Sequence, residues 1–396
     1  MCSGTSWRWL CVILTVAGLL LFSHPATIQA MDDGQIWDAA VATMDSGDTS
    51  QAAKLFSQLL QQFPSSPKAP GAQLKLAEIK RKTDPDATKE LIQAYSLVTN
   101  SYPSSPEAAE ALVATGFLYS KTRSPADTQN AIRMFTTFLQ SYPGHALTAK
   151  VLQSLGLLYA RNRDYAKAEA ALDGVRTSAG VTNELAETSA LHSAFIKIMK
   201  YYASKDKAQL SIAIDAFSKL TQSGYVGVRA KADLGIAEAM VLLRKPLEAR
   251  EKYKQIASAY AAEPYYLGLA LYGAAFCSED AGRLSEAVED WAALLASQSG
   301  WTLAEKNATW KSACLATTNS NTRAMVVVSG QYDLIPGSDI LNQGAFSRAK
   351  CMHGLGRYDE AIAMLTELMD FLPDGTPLDT RAAQLLERCR NAKGQG

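Results

Sequence analysis

Residues 155–180 read LGLLYARNRDYAKAEAALDGVRTSAG, and the spacing of small and large side chains in this stretch decides the fold. Leu155-Gly156 is followed by Tyr159, then Asp164-Tyr165, then Ala168, Leu172 and Gly180. Gly156 and Ala168 are small enough to let two antiparallel helices approach closely, while Tyr159 and Leu172 fill the space beside them. The same order, a small residue, an aromatic or leucine four later and a proline or glycine eight beyond, returns as Ala52, Phe56, Pro64, as Ala131, Phe135, Pro143 and as Ala361, Leu365, Pro373. The key position falls at 52, 91 (a leucine), 131, 168, 213, 249, 287, 324 and 361, in steps of 36 to 45 residues. A period of this length signals a stack of helical hairpins in which each unit covers its neighbour's apolar face.

The residues between units read as turns. Pro64-Ser-Ser-Pro67, Pro103-Ser-Ser-Pro106 and Lys121-Thr-Arg-Ser-Pro125 place Ser66, Ser105 and Ser124 as helix caps, with a proline suited to a first helical turn. Gly356 suits the left-handed residue that closes a helix, and Pro373 stops the next one. Two places depart from the register. Leu191 to Tyr202, with the bulky pair Tyr201-Tyr202, makes a long first helix, and 301–341 reads as a degenerate repeat or an inserted structure, with Ser312 at the first small position and Ile335-Pro336-Gly337 at its end. Met325 to Val328, the single strand-like run, reads as a buried helix face in this register. Leu378 to Arg390 alternates apolar and charged faces and is expected to cap the stack.

These motifs resemble the tetratricopeptide repeat, whose consensus has Leu-Gly, a tyrosine three later, an alanine twelve after the glycine, an aromatic four after that, and a closing proline. The resemblance covers most of residues 33–375. Phrases such as Leu59-Leu-Gln-Gln-Phe63-Pro64-Ser-Ser-Pro67 are similar to repeats of bacterial periplasmic proteins such as the Tol-Pal coordinator and the outer-membrane assembly lipoprotein. It implies an all-α, right-handed superhelical solenoid of about nine helix-turn-helix repeats plus a C-terminal capping helix. The divisions expected are 1–30 as a signal peptide, 31–182 and 183–300 as repeats, 301–341 as the degenerate unit and 342–396 as the last repeat with its cap. It also implies that first helices line a concave groove, which puts Trp37, Trp310, Phe346, Lys350 and His353 at partner-facing positions. The Lys and Asn set with which some family members clamp a C-terminal carboxylate is not present as a set. Tyr272 and Phe276 flank Gly273 in a consensus phrase and read as core.

At the N-terminus, Arg8, the apolar run Trp9 to Phe22, the breaker Ser23-His24-Pro25 and small Ala30 read as a secretory signal peptide cut after Ala30, which puts the mature protein in the periplasm or outside the cell. The run of 14 residues is short for a membrane span. Cys2 and Cys11 stand before and at the front of that run, not at the lipid-attachment position of the assembly lipoprotein. Lys plus Arg and Asp plus Glu are both 39, which supplies no electrostatic reason to expect nucleic acid or an anionic membrane as a partner, and no stable insertion is expected after cleavage.

Chemical signatures fail on context. Ser65-Ser66-Pro67-Lys68 matches a Ser-x-x-Lys pattern, but the companion motifs are missing and the segment is a linker. His145 follows Pro143-Gly144 and reads as a solvated turn residue, and Asn307-Ala308-Thr309 as a chance acceptor motif. Cys277, Cys314, Cys351 and Cys389 recur at 37, 37 and 38 residues, as buried thiols in a small slot or as disulfides between neighbouring units. No cofactor, metal or enzymatic activity is expected. The function implied is a non-enzymatic scaffold or adaptor in the bacterial cell envelope that binds a peptide or protein in its groove. The alternative is a self-associating or bracing component of an envelope machine that uses its convex face.

Overall fold

The computed structural model describes residues 31–394 except 123, 301, 304 and 309–339. The expected signal segment, Trp310, Ser312, Cys314, the key position 324 and Met325 to Val328 lie outside these residues. The described residues are helical, without a strand. They form eight hairpins and a last helix: α1 (Asp33–Asp45) with α2 (Thr49–Gln62), α3 (Ala69–Thr83) with α4 (Thr88–Ser101), α5 (Pro106–Lys121) with α6 (Pro125–Ser141), α7 (Thr148–Arg161) with α8 (Tyr165–Val175), α9 (Asn183–Ser204) with α10 (Ala208–Ser218), α11 (Val226–Leu242) with α12 (Pro246–Ala259), α13 (Pro264–Asp280) with α14 (Leu284–Ala296), α15 (Ile340–Gly354) with α16 (Tyr358–Phe371), and α17 (Pro377–Lys393). Two compact units divide between Met134 and Phe135.

Local chemistry sets the helix ends. Asp32 accepts from the backbone N–H of Gln35 at 2.7 Å while Gln35 Oε1 accepts from Asp32 N at 3.1 Å, a reciprocal cap on α1. Ser105 caps α5 by accepting from Ala108 N at 3.2 Å, and Pro125 opens α6. Ser66 does not cap α3, which begins at Ala69. Its hydroxyl donates to Asp33 at 2.6 Å and accepts from Lys68 N at 3.0 Å, tying the linker to α1. His145 is not a solvated residue either: its ring stands edge-on to Phe138 at 5.3 Å and Nδ1 accepts from Leu147 N at 3.1 Å.

The register of small positions becomes the seam inside each hairpin. Ala52, Leu91, Ala131, Ala168, Ala213, Ala249, Ala287 and Ala361 each lie on the second helix, and every one is fully buried. Gly156 shows why size is restricted there, since a Cβ on it would stand 2.5 Å from Leu172 Cγ and 3.2 Å from the carbonyl of Ala168. Gly235 and Gly273 face Phe217 and Tyr253 of the preceding helix at 2.6 Å in the same way.

Within the units, α1 to α5 pack each on the next, and so do α7 to α17. Beyond these, first helices pack on first helices: α3 on α5 in the first unit, and α7, α9, α11, α13, α15 and α17 each on the next in the second. The core of the first unit centres on Ile36, Phe56, Leu59, Leu91 and Tyr95. That of the second unit runs from Leu172, Phe195 and Phe217 to Trp291, Leu294, Leu365 and Leu385. α9 is the long first helix expected, and α17 covers the end with Leu378, Ala382, Leu385 and Leu386. α15 packs directly on α14 and α13, as α13 packs on α12 and α11.

Candidate interaction face

Phe346, Lys350 and His353 are spaced four and three residues apart, which puts them on one side of α15. Phe346 is half-buried against the core. Lys350 is exposed, and its ammonium pairs with Glu279 of α13. The other oxygen of that carboxylate accepts from Trp291 Nε1 at 3.2 Å, so Glu279 joins α13, α14 and α15. The His353 ring packs on Tyr358 at 5.5 Å, and its Nδ1 lies 3.6 Å from Cys389 Sγ on α17. These three side chains are thus tied to the neighbouring elements, with Lys350 presenting the most open surface.

Trp37 belongs to the first unit. It is half-buried, edge-on to Phe56 at 5.6 Å, with Lys68 Nζ 5.5 Å above its ring, and it abuts Gly71, where a Cβ would come within 2.8 Å of it. Its ring is committed to packing α1 on α2 and α3. Trp310 lies outside the described residues. Tyr272 and Phe276 are half-buried against the core, Tyr272 edge-on to Trp291 at 5.1 Å, in keeping with their sequence reading.

Cys277, Cys351 and Cys389 are fully buried free thiols on α13, α15 and α17. Burial pushes Cys277 and Cys351 up to about 12, with Glu279 adding to the effect at Cys351, so both are protonated and poor nucleophiles at neutral pH. Among the described residues no three His, Cys, Asp or Glu side chains gather as metal ligands. Asn307 Nδ2 donates to Leu303 O and to Asn342 Oδ1, both at 2.8 Å, so its amide is engaged.

A second polar centre, unmarked by any sequence motif, lies between α12, α13 and α14. Asp290 accepts from Arg250 Nε at 2.7 Å and from Ser278 Oγ at 2.6 Å, with Lys254 Nζ at 3.1 Å. Burial raises its carboxyl pKa, but these donors outweigh burial and hold it below the usual range. Donors and acceptor come from three helices, so only the fold brings them together.

These features define a class: an all-α protein of repeated helical hairpins that resembles tetratricopeptide-repeat proteins, with first helix packed on first helix within each unit. Residues 29–172 match the family model of the YfiO outer membrane lipoproteins. Similar solved structures include a tetratricopeptide repeat protein from Parabacteroides merdae, 14% identical over 91% of this chain and 99% of that one with a TM-score of 0.35. The apo form of RapI is 9% identical over 92% of this chain and 99% of that one, with a TM-score of 0.46. No curated protein matches the chain.

Proposed function

We propose that this chain is a non-enzymatic interaction scaffold of the bacterial cell envelope that holds a peptide or protein against the face built by its first helices. The observation that carries this reading is the packing of first helix on first helix, which sets α13 and α15 side by side with Phe346, Lys350 and His353 on one side of α15. The match of residues 29–172 to an outer membrane lipoprotein family supports the compartment, as does the N-terminal sequence. No helix among the described residues is long and apolar enough to cross a membrane.

Lys350→Gln tests the reading, because the residue is exposed and the amide keeps a donor for Glu279, so the replacement should leave the fold intact while removing the charge. Affinity capture from solubilised envelope should recover a discrete partner with the native chain and markedly less with the variant. Equal capture by a folded variant would remove this face from the reading. A half-buried Phe346 makes Phe346→Ala a less clean test, since lost packing and lost binding would coincide.

A bracing or self-associating role has one observation in its favour. Leu97, Ile212, Leu247 and Phe371, all markedly exposed apolar residues, lie on the second helices α4, α10, α12 and α16. Sedimentation showing concentration-dependent self-association, abolished by Ile212→Lys with Leu247→Lys, would favour it over peptide capture.

A further inference from the structure

The turns that join first to second helix carry a pattern in the second unit that repeat packing does not demand. After α13 and α15 the left-handed position is filled by Gly282 (φ 70°) and Gly356 (φ 75°), and after α1 in the first unit by Gly47 (φ 92°). After α7, α9 and α11 it is filled by Arg163 (φ 61°), Lys205 (φ 59°) and Arg244 (φ 63°). Glycine adopts this backbone without strain, whereas a residue with a Cβ does not. Three consecutive hairpins therefore accept backbone strain to place a cation at the same point.

The three turns lie on one edge. Gln153 of α7 donates to Ser189 of α9 at 3.1 Å, and Ser223, just before α11, bonds Glu187 near the start of α9. These bonds bring the N-terminal parts of α7, α9 and α11 together, and the C-terminal turns share the opposite edge. Counting residues onward from these contacts, at 1.5 Å each, sets Lys205 and Arg244 at about one level and Arg163 about 10 Å short of it. With packed helix axes about 8–10 Å apart, neighbouring turns place their cations within roughly 15 Å of one another along this edge.

Acidic residues at the same turns are already engaged. Asp164 pairs with Lys167 at 2.7 Å, Asp206 accepts from Ala208 N at 3.0 Å and Glu248 pairs with Lys245 at 3.0 Å. Arg163, Lys207 and Arg244 are exposed and have no such partner, while Lys205 Nζ stands 5.7 and 5.4 Å from the rings of Tyr201 and Tyr202. Two exposed apolar side chains accompany the cations, Ile212 in α10 (46% exposed) and Leu247 in the first turn of α12 (41%). Residues 148–260 hold 17 Lys and Arg against 11 Asp and Glu, and the rest of the chain 22 against 28. The overall neutrality thus conceals a basic segment.

We propose that this turn edge of α7–α12 docks the chain on an anionic lipid surface, with Arg163, Lys205 and Arg244 as headgroup contacts and Ile212 and Leu247 entering the interface. Lipid is favoured over an acidic protein because the cations sit on turn tips stepped across three hairpins, with Lys205 beside two tyrosine rings and exposed Ile212 and Leu247 in the helices that follow. A laterally mobile anionic surface satisfies such an array without a matching set of fixed charges. A helix C-terminus also favours a nearby cation, and that contribution is read separately as stability.

The test is the triple variant Arg163→Gly, Lys205→Gly, Arg244→Gly in the full mature chain. Glycine suits the left-handed backbone, so Tm should hold or rise while the docking charge disappears. Cosedimentation should show the native chain on vesicles of phosphatidylcholine mixed with phosphatidylglycerol, little on phosphatidylcholine alone, and release by high salt. The variant's partitioning should fall on the order of a hundredfold. Native binding by the stable variant, equal binding to both vesicles, or retention by immobilised polyglutamate with none by vesicles would overturn the proposal.

Discussion

Lys231 and His192 are the residues most at odds with their surroundings. Both lie in the second unit, on α11 and α9, at 6% and 3% exposure, and His192 Nδ1 has no hydrogen-bond partner. Burial lowers Lys231 to about 8, and burial with the nearby Lys231 charge lowers His192 to about 4. In each case the unfolded chain binds more protons between the depressed and the ordinary value. Stability is therefore lost as pH falls from about 6.5 towards 4 through His192, by up to about 3 kcal/mol. It is gained as pH rises from about 8 past 10.5 through Lys231. Urea midpoints for the native chain should drop between pH 7 and pH 5, and His192→Leu should flatten that drop. Lys231→Met should raise stability at pH 7 by about 1–3 kcal/mol, since it removes a cation that burial disfavours. A lower melting temperature for this variant would mean that the ammonium is satisfied in solution. Gly156→Leu should cost about 1–3 kcal/mol by overpacking Leu172. Because repeats touch only their neighbours, hydrogen exchange should show the loss concentrated in α7 to α9.

At the scale of elements, the hairpins were legible because the small position recurs and every described instance of it is buried, including the departure at Leu91. Caps were less legible. Ser105 caps as expected, whereas Ser66 is drawn away by Asp33, a partner 33 residues distant that no local pattern reveals. The cysteine spacing left buried thiols and disulfides open, and the described Cys277, Cys351 and Cys389 are free thiols buried on α13, α15 and α17. Likewise the face of α15 could be read from the spacing of Phe346, Lys350 and His353, but their partners Glu279 and Cys389 come from other helices. Two element-scale outcomes follow from the packing. Asp290→Ala should cost about 1–3 kcal/mol in chemical denaturation, since it removes the acceptor shared by Arg250, Ser278 and Lys254, while Arg250 keeps its pairing with Glu286. Ending the chain after Pro373 removes α17, uncovers the apolar sides of α15 and α16, and should lower amide protection there before it does in α7–α12.

For the molecule as a whole, composition averaged away the feature that a count by segment exposes. Equal totals of acid and base removed any electrostatic reason to expect an anionic surface, yet residues 148–260 are distinctly basic, with Arg163, Lys205 and Arg244 at the left-handed turn positions. The groove reading rests on helix order instead, since first helices meet first helices in both units. Site-specific photo-crosslinking in intact cells tests it most directly. A photoreactive residue at position 350, exposed on the first helix α15, is compared with one at position 363, exposed on the second helix α16. Partner capture on the first-helix face predicts a discrete heterologous adduct from 350 and none from 363. An adduct from 363 alone, or only a dimer of this chain from both positions, would contradict it.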